Sequence, residues 1–115
     1  MASGLKEWGR VATDFLQEVT ADKPAAEARI LRDLQKLAAE RHQLRDITKP
    51  LGSGLFELKT KEFRFLYVFY QADIVILVCF VKKGQKTPRS ILDLARDRQR
   101  KILAQEVSLG DVAYH

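Results

Sequence analysis

The stretch LFELKTKEFRFLYVFYQADIVILVCFVK, from Leu55 to Lys82, holds three apolar segments rich in Phe, Tyr, Val and Ile, parted by two short polar breaks. Aromatic and β-branched residues in runs of this length read as strands. The spacing predicts strands over 55–59, 62–70 and 74–82, with Thr60-Lys61 and Gln71-Ala72-Asp73 as turns. Connections that short join antiparallel hairpins, because a parallel pair needs a crossover of a dozen residues or more.

A two-residue turn at Thr60-Lys61 pairs Lys59 with Glu62, Glu57 with Arg64 and Phe56 with Phe65. Side chains alternate between faces along each strand. One face then collects Phe56, Leu58, Phe63, Phe65, Tyr67 and Phe69, joined by Val75, Leu77, Cys79 and Val81. It is apolar throughout and is expected to pack on helices. The other face carries Leu66, Val68, Ile74, Ile76, Val78 and Phe80, and ends in Glu57, Lys59, Glu62, Arg64 and Lys82. Charged side chains from three strands are therefore expected at one corner of the sheet. A one-residue register slip would move each of them to the opposite face.

Upstream, Trp8, Val11, Ala12, Phe15, Leu16 and Val19 fall on one helical stripe, which predicts a helix over 5–19, with Gly9 leaving a short initial strand as the alternative. A second helix is predicted over 25–42, behind Asp22 and Pro24, with Ile30, Leu31, Leu34, Leu37 and Ala38 inward. KPLGSG, Lys49 to Gly54, breaks the helical pattern. Downstream, Thr87 is the expected N-cap of a last helix starting at Pro88 and ending near Gln105, and 106–115 form a tail. The expected fold is α+β, one domain over 1–115: two N-terminal helices on a three- to four-stranded antiparallel sheet, plus a C-terminal helix.

Composition bounds the function. Cys79 is the only cysteine and the two histidines, His42 and His115, lie far apart, so neither a disulfide framework nor a metal centre is expected, and no cofactor. No apolar run approaches the roughly 20 residues of a membrane span. MASGLKEWGR lacks the apolar core of a signal peptide, so a soluble cytoplasmic protein is expected. The net charge of +5 is uneven: residues 82–101 carry eight Lys and Arg against Asp93 and Asp97 alone. A localised basic segment points to an anionic partner, nucleic acid or acidic protein.

The segment FVKKGQKTP, Phe80 to Pro88, runs an apolar strand straight into Lys82, Lys83 and Lys86. Clustered ammonium groups at the end of a rigid element suit a phosphodiester, since attraction to phosphate dominates nucleic-acid affinity. Lys82, Lys83, Lys86, Arg89 and Arg64 are the candidate phosphate contacts, Arg64 because its planar fork offers two donors to phosphate oxygens. The plainer reading of Glu57 and Arg64 is a cross-strand ion pair, of Lys59 and Glu62 solvated turn flanks, and of Cys79 a core residue. Tyr114 and His115 close a tail, yet both are competent proton donors.

GLFELK (54–59), FRFLYVFY (63–70), ILVCFVKKGQKTP (76–88) and LARDR (94–98) together resemble the HigB-like, phage-derived branch of the RelE/ParE toxin superfamily, over about residues 11–103. The resemblance implies a toxin of a type II toxin–antitoxin pair, acting on mRNA on the ribosome and neutralised by a cognate antitoxin, often of the helix-turn-helix type. The motif positions that carry over are Glu57, Lys59, Arg64, Lys82, Lys83 and Lys86. Cys79 departs from the histidine common at its position. The reaction expected is metal-independent cleavage by the RNA 2′-hydroxyl. Arg64, Lys82 and Lys86 would stabilise the phosphorane, Glu57, Lys59 or Lys82 would serve as base, and Tyr114, His115 or a lysine as acid. A gyrase poison of the same superfamily and a non-catalytic basic binding module are the alternatives.

Overall fold

The computed structural model describes residues 4–104 and 109–112. The elements are β1 (Leu5–Trp8), α1 (Val11–Val19), α2 (Pro24–Glu40), a 3-10 turn (Arg41–Gln43), β2 (Thr48–Gly52), β3 (Leu55–Thr60), β4 (Phe63–Tyr70), β5 (Asp73–Val81), α3 (Arg89–Leu103) and β6 (Leu109–Asp111). One six-stranded sheet has the order β2-β3-β4-β5-β1-β6. Every pairing is antiparallel except β1 with β5. The fold is α+β, but the expectation of two N-terminal helices on a small antiparallel sheet is corrected: the sheet is mixed, larger, and sits between helices on both faces.

The correction begins at the N-terminus. Leu5 and Trp8 fit a helical stripe, yet Leu5 enters the core under α1 and α2 while Trp8 packs with the core under α3. That is the alternation of a strand. Gly9, at φ +56°, makes the turn from β1 into α1 that a side chain would strain. Glu7, 2% exposed, then closes the junction. Its Oε1 accepts the backbone N–H groups of Ala12 (2.7 Å) and Thr13 (2.9 Å), and its Oε2 the Thr13 hydroxyl (2.6 Å). A strand carboxylate thus satisfies donors that an N-cap side chain would otherwise take.

The two hairpin turns also differ from expectation. The first is Lys61-Glu62, with Lys61 at φ +54°, so Thr60 faces Phe63 and Lys59 faces Arg64. The shift is by whole pairs and each side chain keeps its expected face. The second turn is Gln71-Ala72, with Gln71 at φ +56°, so Tyr70 faces Asp73. This puts Ile74 and Ile76, not Val75 and Leu77, on the α1/α2 side. A bulge at Leu77 then restores the register, and Phe65 meets Cys79 and Phe63 meets Val81 as expected.

The edge strand β2 lies where the sequence pattern broke down. Its Pro50 is tolerated because an edge strand has one unpaired side. A second irregularity, at Leu51, interrupts β2–β3 pairing. α3 closes over both: Arg96 Nη2 donates to the Leu51 carbonyl (2.9 Å), and Arg98 Nη1 to the Leu77 carbonyl (2.6 Å). Arg96 Nη1 and Gln99 also donate to Gly52 O and Ser53 O, both at 2.7 Å. Among the described residues no helix is long and apolar enough to cross a membrane.

Candidate functional site

The β3–β4 turn end of the sheet carries a cleft of about 270 Å³ on its α3 side. Register explains its walls. Glu57 and Lys59 are on alternate positions of β3, Lys59 lies opposite Arg64 on β4, and Lys49 lies opposite Glu57 on β2. Lys82 follows β5 directly, its N–H held by the Glu62 carbonyl at 2.8 Å. Asp46 enters from the segment before β2, which the Lys59 N–H anchors through the Ile47 carbonyl at 2.7 Å.

Glu57 is the hub. It is 3% exposed, and its Oε1 lies 3.8 Å from Arg64 Nε and 3.9 Å from Lys49 Nζ. Its Oε2 accepts the Thr87 hydroxyl at 3.1 Å. Arg64 is buried too, and its Nη1 donates to the carbonyls of Phe63 (3.0 Å) and Lys61. Its Nε is buried and has no hydrogen-bond acceptor among the described residues. A buried donor without a partner costs about 1–3 kcal/mol, and the nearest acceptor, Glu57 Oε1, stands 3.8 Å away. Replacing such a buried pair by apolar residues is often neutral or stabilising, so its presence is weak evidence for a role in stability. Lys49, Lys59, Arg64 and Lys82 outnumber Glu57 and Asp46, leaving the cleft cationic.

Of the residues singled out in the sequence, Glu57, Lys59, Arg64 and Lys82 converge on this cleft. Glu62 does not; it faces the grooves on the α1/α2 side. Lys83 and Lys86 are exposed on the following loop, outside the cleft lining. Arg89 is exposed at the start of α3, 4.0 Å from Asp93. Tyr114 and His115 lie outside the described residues. Thr87 caps nothing; Pro88 holds the N-cap position while the Thr87 hydroxyl turns back to Glu57. The basic segment is also less free than its count implies, because Arg96 and Arg98 bind carbonyls and Arg100 and Lys101 pair with Asp97. Burial pushes the Cys79 thiol up, Glu7 adds to that and Arg98 opposes it, so the sulfur stays protonated in its core position. Sequence reasoning missed Lys49 and Asp46. Gly52-Ser53-Gly54, all at positive φ, was the available signal: a tight turn that makes the preceding residues a strand.

A family model described as Phage derived protein Gp49-like (DUF891) matches residues 17–100. The chain belongs to this family. It is a toxin-like family related to the RelE/ParE superfamily. The match runs from α1 through most of α3 and contains every described residue of the cleft, while β1 and β6 fall outside it. No curated protein matches the chain. Among the described residues of this Gp49-like protein, no group of three or more His, Cys, Asp or Glu side chains is placed to hold a metal ion.

Proposed function

We propose that this Gp49-like protein is the toxin of a type II toxin–antitoxin pair and cuts mRNA on the ribosome. Its partners in this reading are ribosome-bound mRNA and a cognate antitoxin of the helix-turn-helix type. The observation that carries the reading is Arg64: a guanidinium fixed by two carbonyls and a buried carboxylate, with its Nε unmatched, in a cleft with surplus positive charge.

The chemistry follows from the groups present. The RNA 2′-oxygen attacks phosphorus, the bond to the 5′-oxygen breaks, and the products are a 2′,3′-cyclic phosphate and a 5′-hydroxyl. Arg64 and Lys82 stabilise the charge that builds on the phosphorane, which is where fixed donors accelerate most. Glu57 acts by holding Arg64, since its oxygens face Arg64, Lys49 and Thr87. Asp46 takes the proton of the 2′-hydroxyl, and the Lys59 ammonium, exposed in the same cleft, gives one to the leaving 5′-oxygen. Lys83, Lys86 and Arg89 bind the RNA backbone on either side. The ribosome supplies in-line geometry, which a shallow cleft cannot impose alone.

The test is primer extension on a reporter mRNA in reconstituted translation, with and without ribosomes, for wild type and Arg64→Ala. New cuts that need both ribosomes and Arg64 are expected. Their absence, with the protein folded, would overturn the nuclease reading; a gyrase supercoiling assay would then separate a gyrase poison from a binding module.

A further inference from the structure

On the other face of the sheet, a groove of about 880 Å³ runs between the β3–β4 turn and the first half of α2. One wall is a stripe at helical spacing, Ala25, Ala28, Arg29 and Arg32, all exposed. Pro24 and Phe63 complete an apolar floor. Lys23, Arg29, Arg32 and Lys61 stand around it, with Glu62 the single acid of the lining. Arg32 makes only a loose pair with Asp33 at 4.0 Å and is 70% exposed in its side chain.

We propose that this groove docks an acidic amphipathic helix of a partner protein. Three features select that occupant. The alanines present methyl groups over the first turn of α2, so another helix can approach closely there and seat its own ridge against them. The volume accommodates the buried side of about two turns of a helix about 10 Å across. The cations lie where Asp and Glu at spacings of three and four residues would meet them while small apolar side chains meet the floor. Single-stranded nucleic acid fits less well, because it gains from exposed aromatic platforms and the one ring here, Phe63, is 4% exposed. The groove is separate from the Glu57–Arg64 cleft, and this inference stands whether or not the cleft cuts RNA.

The test is selection from a displayed library of random peptides about 16 residues long, four to five helical turns. The full chain is the bait, with counter-selection on the Arg29→Glu/Arg32→Glu protein, confirmed folded by circular dichroism. Enriched peptides are expected to carry Asp or Glu at helical spacing beside small apolar residues. A synthetic copy should lose about tenfold or more in affinity for the double variant and for Lys61→Glu, and more at low salt than at high. It should shift amides of residues 25–32 and 61–63. Failure to enrich such a pattern, or peptides that bind the variants equally or map to Glu57 and Arg64, would overturn the proposal. So would a uridine oligonucleotide that shifts the groove amides where the peptides do not.

Discussion

The Thr87 hydroxyl donates to Glu57 Oε2 at 3.1 Å, across 30 residues of sequence. The bond ties the basic loop after β5 to the carboxylate that faces Arg64, so the loop lysines and the cleft form one unit. Thr87→Val keeps the shape and removes the donor, leaving a carboxylate oxygen with less hydrogen bonding in a buried site. A loss of about 1–3 kcal/mol is expected in urea denaturation. Amides of residues 82–87 should exchange faster while those of β4 do not. Unchanged exchange in the loop would show that the bond holds nothing in place.

Arg98 and Lys82 belong to the same basic segment and should behave oppositely. Arg98 donates to the bulge carbonyl of Leu77 and lies 5.4 Å from the centre of the Trp8 ring. Burial lowers its pKa, the mark of a guanidinium withdrawn from water. Arg98→Ala should cost about 1–3 kcal/mol of stability and leave RNA binding unchanged at temperatures where the variant is folded. Lys82→Ala should leave stability alone and reduce the salt slope of oligonucleotide binding by about one. Salt titrations and urea melts of both variants check this.

That contrast shows what the sequence could and could not reveal. Alternation along 55–70 was enough to put Glu57, Lys59 and Arg64 on one face, because a turn misplaced by one residue shifts both strands together and preserves facing. The bulge at Leu77 was illegible: every residue of 74–81 is apolar, so no polar position marks where the alternation slips. β1 was legible only as the alternative that Gly9 left open, because Leu5 and Trp8 suit a helix as well as a strand, and its parallel pairing with the distant β5 decides between them. Charge counting overstated the basic face because it cannot see carbonyls, which is where Arg96 and Arg98 point.

Arg64→Lys is the most direct probe of the cleft. It keeps a positive charge beside Glu57 but removes the planar fork and the Nε donor, and the two residues are not interchangeable at such a site. Ribosome-dependent cleavage should fall by about 10²–10³, the usual effect of losing one donor to a developing anion. Equilibrium unfolding should lose about 1–3 kcal/mol with the carbonyl bonds of Nη1, so cleavage is compared at temperatures where the variant is folded. Wild-type cleavage by Arg64→Lys would show that charge alone suffices and that the unmatched Nε has no part.

Tyr67 makes a prediction about alkaline pH. It is 1% exposed in the core under α2, and burial pushes its hydroxyl up from 10.0 to about 12, with a hydrogen bond to Thr48 opposing. The folded state therefore keeps the proton between those values while the unfolded chain releases it. Fewer protons on the unfolded state mean that stability falls as pH rises. The loss begins near pH 10 and levels off near 12, and amounts to about 1–3 kcal/mol. Tyr67→Phe keeps the ring and removes the titrating hydroxyl, so its stability relative to wild type should rise between pH 10 and 12. A constant gap across that range would contradict the shift.

The last prediction concerns the tail. Tyr114 and His115 are chemically suited to proton transfer, but the described chain before them points away from the cleft. Val112 donates its N–H to the Leu5 carbonyl at 3.0 Å, and Leu5 pairs with Ile74 at the start of β5. Arg64 pairs with Phe80, near the other end of that strand. Six residues of strand span about 20 Å, and the three strand spacings from β6 to β4 add about 14 Å at right angles. Three residues of chain reach at most about 10 Å. Truncation after Val112 keeps β6 and its pairing with β1, and should leave both stability and ribosome-dependent cleavage at wild-type levels. Loss of cleavage with the fold intact would mean that the tail acts on a site other than this cleft of its own chain, and mixing the truncated protein with an Arg64→Ala chain would then show whether a second copy supplies it.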